Sequence, residues 1–231
     1  MRKCGTVRDI PLVLIFLLPL LGAYSFASEE VPRSDVSLVA AGSLRGDAKR
    51  GRTIYEHNCI GCHETHGFGD PFQAVPALAG QQYDYLVQQI SRFAANERPS
   101  TPMHWALVRE HMREPQNWVD VAQFLSTLPV MPIGQGAGRR DLDLGARLFQ
   151  AHCAACHGDA ATGHAGSTVP SLRNQHYSYL LNRLHRLRDN DPHQTNEALR
   201  FFLRGFDEHQ SAAVANYLAY LPAEKSVRRQ P

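Results

Sequence analysis

The chain has 231 residues, of which 43% are hydrophobic and 20% charged, the make-up of a globular protein with room for one or two domains. Its formal charge of +2 is carried by the first 27 residues, and beyond them basic and acidic side chains are equal in number. That balance excludes the charge excess by which nucleic acid or an anionic membrane surface is bound.

The N-terminus reads as an export signal. "MRKCGTVR" is basic, "IPLVLIFLLPLLG" is an apolar run of 13 residues, and "AYSFAS" supplies small residues at a cleavage site. These features predict a cleaved signal peptide over residues 1–27 and a periplasmic mature protein. As a membrane span the run is too short for about 30 Å of hydrocarbon, and Pro11 and Pro19 interrupt it. Cys4 leaves with the signal. Residues 28–43 form a lead into the first domain.

From there the spacing predicts helices. Apolar residues recur every three to four positions in "LRGDAKRGRTIYEHN" (44–58), ahead of a first cysteine pair, and in "QYDYLVQQISRFAA" (82–95), after a proline loop. "RPSTPMHW" reads as a Pro-containing loop and "HWALVREHM" (104–112) as a helix. "WVDVAQFLSTL" (118–128) closes the half and Pro129 stops it. "VMPIGQGAGRR" (130–140) is a Gly- and Pro-rich linker. The pattern then repeats with an offset of 94. Gly51, Tyr55, Cys59 and His63 match Gly145, Phe149, Cys153 and His157, and "VPALAGQQYDYL" matches "VPSLRNQHYSYL". "VAQFLSTLP" matches "VANYLAYLP" at an offset of 93. No strand-like alternation runs to a useful length. The reading is all-α, with two tandem domains at 44–129 and 141–222 and a tail at 223–231. Domains this small bury too little apolar surface to stand without a staple, metal or cofactor.

"CIGCH" (59–63) and "CAACH" (153–157) supply the staple. Two thiols three positions apart can form thioethers with the two vinyl groups of one porphyrin, and the next histidine can ligate the iron from below. Three competing readings fit less well. Zinc pairs are normally about 15–20 residues apart, whereas Cys62 and Cys153 are far more widely separated. A thioredoxin-type pair needs a βαβ context. A vicinal disulfide leaves the recurring histidine unexplained. The expectation is two covalent haem c groups at Cys59, Cys62, Cys153 and Cys156, with His63 and His157 as iron ligands.

The glycine and aromatic before each attachment site, the "P-x-L" loop after it and the paired "P-x-L-x-x-Q-x-x-Y-x-Y-L" segments resemble class I cytochrome c domains in tandem, as in the dihaem cytochrome c4 family. The resemblance spans about residues 44–222. It implies three to five helices around each haem, with Gly51 and Tyr55 packed near Phe124, and Gly145 and Phe149 near Tyr217. It implies an electron carrier of the periplasm, likewise loosely attached to the membrane in many members, serving terminal oxidases. It also implies a methionine as sixth ligand. Met103 fits the first haem, with His104 as a substitute, while Met112 reads as packing and Met131 lies in the linker. The second half has no methionine after Met131. Setting "DNDPHQTN" on "RPSTPMHW" places His193 on Met103. His185, His164, His209 or an open position are the alternatives. The expected function is single-electron transfer by a monomer between a redox donor and a terminal acceptor. The competing expectation is an enzyme of peroxidase or thiosulfate dehydrogenase type, working at the second haem.

Overall fold

A computed structural model describes residues 44–109, 112–132, 136–189 and 197–221. The expected signal peptide, the lead, the C-terminal tail and His193 lie outside the described residues. Ten helices occur among the described residues, five in each half. The first half holds α1 (Ala48–Asn58), α2 (Ile60–His63), α3 (Tyr83–Ala94), α4 (Thr101–Leu107) and α5 (Pro115–Thr127). The second holds α6 (Leu142–His152), α7 (Ala154–His157), α8 (Tyr177–Arg188), α9 (Glu197–Leu203) and α10 (Glu208–Tyr220).

Each half is built on one helix crossing. α1 packs on α5 and α6 on α10. The approach requires glycine: a Cβ on Gly51 would lie 1.9 Å from Asp120 O, and one on Gly145 would lie 2.1 Å from Ala213 O. One turn on, Tyr55 meets Phe124 with ring centroids 5.5 Å apart, and Phe149 meets Tyr217 at 5.8 Å. The first crossing is also locked by charge. The enclosed Asp120 carboxylate accepts from Asp47 N–H (2.7 Å), Gln116 Nε2 (2.9 Å) and Arg50 Nε and Nη2 (2.8 and 3.0 Å). Burial pushes this carboxyl up, but those donors outweigh it and hold it below the ordinary range. Ala213 stands at the matching place in the second half, so that crossing has no such lock.

The closing helices end where the sequence says they must. Leu128 and Leu221, each before a proline, have ψ of 143° and 131°, outside the helical region. Ala137 N–H, Gly138 O and Arg140 O all bond to the amide of Asn216, which fastens the end of the linker to α10.

Two expectations are corrected in the stretch before α5. Met103 lies within α4 rather than in a loop. Pro102 sits in the first turn of that helix, where its missing N–H would have had no partner. The helix ends at Leu107, so Met112 lies outside it, in a short 3₁₀ turn. It is a fully buried core residue whose carbonyl accepts a 2.6 Å bond from Trp118 Nε1.

The halves meet through their proline loops in a nearly two-fold arrangement. Gln81 Nε2 donates to Ser171 O and its Oε1 accepts from Ser171 N–H, at 2.9 and 2.8 Å. Gln175 makes the mirror pair with Ala77, at the same two distances. Gln82 Nε2 donates to Thr162 O (2.9 Å), and His176 Nε2 stands 2.6 Å from Phe68 O at the matching position. Alongside, Arg98 crosses from the first half to Tyr179 OH at 2.9 Å.

Candidate haem centres

α2 and α7 are single turns, and their brevity places the chemistry. His63 N–H donates to Cys59 O at 2.9 Å and His157 N–H to Cys153 O at 3.0 Å. The two thiols of each pair are therefore one helical turn apart on one side, with the histidine closing the turn. None of the four cysteines is in a disulfide. Burial, aided by the neighbouring thiol, pushes Cys59 up to about 12 and Cys153 up to about 11, so neither is poised as a thiolate. Among the described residues no three Cys, His, Asp or Glu side chains converge to hold a metal ion without a macrocycle.

Each histidine is aimed by a loop. Gly69 and Gly163 adopt φ of +71° and +66°, a turn in which a Cβ would lie 2.4 Å from Val75 O or Val169 O. The turn brings Pro76 and Pro170 back over the histidines. His63 Nδ1 lies 3.1 Å from Pro76 O, and His157 Nδ1 lies 3.1 Å from Pro170 O. With Nδ1–H donated to a carbonyl, Nε2 carries the lone pair that a metal requires. Burial lowers the proton affinity of both rings and keeps that lone pair free. The donor set and its spacing fit a covalently attached haem in each half.

In the segments expected to supply the sixth ligands the halves differ. α4 and α9 are each seven residues long and pack on α3 and α8. Two pairs of positions agree in exposure: Trp105 and Phe201 are 65% and 73% exposed, while Leu107 and Leu203 are 4% and 2% exposed. Met103 and Leu199, both half-buried against their cores, therefore occupy equivalent places. The structure pairs Leu199 with Met103, where the sequence alignment pairs His193. The remaining described histidines of the second half have other surroundings. His164 is exposed. His152 packs against the Phe206 ring, and His176 faces Phe68 O. His185 lies 2.9 Å from Glu208 and His209 lies 3.1 Å from Asp141. In the first half, half-buried His104 has an enclosed Nδ1 with no hydrogen-bond partner, and Met131 is 47% exposed.

Comparison with known proteins bears on the same two turns. The family model for cytochrome c matches residues 48–129 and again 142–222. The chain belongs to the cytochrome c family. Cytochrome c4 of Thiocapsa roseopersicina is 30% identical over 196 residues, covering 78% of this chain and 95% of that protein. The reduced cytochrome c4 of Pseudomonas stutzeri superposes with a TM-score of 0.62 over 77% of this chain and all of that one, at 24% identity, a match of fold. A thiosulfate dehydrogenase of Marichromatium purpuratum gives 0.65 at 29% identity over 80% of this chain, which spans 42% of that longer one. This cytochrome is thus dihaem and of the c4 type, with two covalently bound haem c groups. Among its described residues no helix is long and apolar enough to cross a membrane.

Proposed function

We propose that this cytochrome carries single electrons in the periplasm, as a monomer at most loosely attached to the membrane, from a respiratory donor to a terminal oxidase or similar acceptor. Cys59 and Cys62 would hold the first haem, with His63 and Met103 as iron ligands. Cys153 and Cys156 would hold the second, with His157 and His193 as iron ligands, because α9 offers Leu199 and the other histidines described in that half are exposed or lie against Phe206, Phe68 O, Glu208 and Asp141. Each haem, when bound, supplies a one-electron Fe(III)/Fe(II) couple. The protein fixes the imidazoles through Pro76 and Pro170, packs Tyr55 and Phe149 beneath the attachment turns, and brings the two proximal loops together at the interface. The observation that carries this reading is the recurrence of one arrangement in both halves: paired thiols on a single turn, and a histidine 3.1 Å from a prolyl oxygen.

Residues 28–138 carry three more acidic than basic side chains, and residues 139–231 three more basic than acidic. The two halves are therefore expected to face partners of opposite charge, with association rates that fall as salt rises. Carbon monoxide tests the carrier reading. Reduced protein with both irons six-coordinate keeps its spectrum, and rapid binding at one haem overturns the reading. A second reading, thiosulfate or peroxide chemistry at the second haem, is favoured by Leu199 and by the thiosulfate dehydrogenase relative. It gains if the second haem is high-spin in the unmodified protein.

A further inference from the structure

The interface glutamines bond to the same peptide groups that orient the iron-binding histidines. Ala77 N–H and Pro76 C=O belong to one amide. Its carbonyl oxygen lies 3.1 Å from His63 Nδ1, and its N–H donates to Gln175 Oε1 at 2.8 Å. The amide formed by Pro170 and Ser171 repeats this, with its oxygen 3.1 Å from His157 Nδ1 and its N–H donating to Gln81 Oε1 at 2.8 Å. Each glutamine comes from the half opposite to the histidine it reaches. Its orientation is fixed as well: Gln175 Oε1 also accepts from His176 N–H (3.0 Å) and Gln81 Oε1 from Gln82 N–H (2.9 Å), while each Nε2 donates to a carbonyl.

We infer that Gln175 is a positioning residue for the first haem and Gln81 for the second, each acting across the interface through a single amide on the histidine ligand of the other half. An amide whose N–H is engaged is polarised, and its carbonyl becomes the stronger acceptor. A stronger acceptor for Nδ1–H makes the imidazole more basic toward iron. A more basic ligand favours the ferric state, and hydrogen bonding of this kind is one of the protein's means of setting a haem potential. The interface thus tunes each centre from the opposite half. The inference rests on the haems and their histidines and is independent of either sixth ligand.

The test uses the complete dihaem protein with Gln175→Met and Gln81→Met, since methionine keeps the length of the side chain without its strong acceptor and donor. Haem resonances assigned to each half through the Cys59 and Cys153 thioethers are followed by NMR through a redox titration. Gln175→Met should shift the first haem about threefold toward the ferrous form, or ~28 mV at about 59 mV per decade, and leave the second in place. Gln81→Met should do the reverse. A shift confined to the variant's own half, an equal shift of both haems, or no shift overturns the inference. Should one variant fail to assemble, the other reads the same relay from the opposite side. The unmodified protein gives a third measurement: the Ala77 and Ser171 amides should resist hydrogen exchange, and fast exchange at either refutes the relay.

Discussion

Replacing Leu199 with methionine should give the second haem a thioether ligand in place of His193. Leu199 is half-buried against the second core at the place that Met103 holds in the first. The exchange nearly conserves volume and should cost less than about 1.5 kcal/mol. A thioether is a softer ligand than imidazole or water and favours ferrous iron. Axial ligation spans about 0.8 V in haem proteins, so a rise of ~0.2 V is reasonable. At about 59 mV per decade, that amounts to more than ~10³ in the electron's preference for this site. The unmodified protein should show one methionine–iron charge-transfer band per two haems, and Leu199→Met should show two, with the separation of potentials largely closed. A folded variant with both haems, one band and unchanged potentials would refute the pairing of α9 with α4.

Met103→Ala should abolish the band of the unmodified protein and lower the first potential, while the second titrates as before. Asp120→Ala removes the acceptor for Asp47 N–H and Gln116 and should destabilise the first half by about 2 kcal/mol in chemical denaturation. Because the folded pKa of Asp120 is depressed, its contribution is present above the unfolded value of about 3.9 and disappears as pH falls through the folded one. Asp120→Asn should accordingly lose less stability than the parent between pH 4 and 2, and an unchanged acid limb would contradict that. Glu64 is exposed and held at φ 65°, ψ 164°, where the second half has Gly158 at 74° and 156°. Glu64→Gly should raise stability by about 1 kcal/mol, the strain relieved exceeding the entropy a glycine loses. A lower melting temperature for that variant would show that Glu64 is not strained.

Local signals were legible in the sequence. The three- and four-residue spacing located α3 to within a residue, its repeat at an offset of 94 located α8 as closely, and the attachment turns needed only five letters. α4 was misplaced because Pro102 reads as a loop residue until its position in the first turn is known. The partner of Met103 was obscured by compensating loop changes. The stretch between α8 and α9 is two residues longer than its counterpart, and the one between α9 and α10 three shorter. Matching the residue after a proline therefore favoured His193, whereas the burial pattern selects Leu199. The roles of Gln81 and Gln175 depend on pairings 90 and 98 residues apart. Their signal was the shared "Q-x-x-Y-x-Y-L", visible in the repeat yet silent about direction until the loops were seen face to face.

The reciprocity of those loops also bears on how two chains could combine. Every bond that the first half makes to the second across the proline loops is one it could make equally to the second half of a neighbouring chain. Ala137, Gly138 and Arg140 would stay with α10 through Asn216. Two molecules could thus exchange halves and keep the same interface contacts. Such exchange would favour the monomer in dilute solution and a closed dimer when the protein is refolded at high concentration.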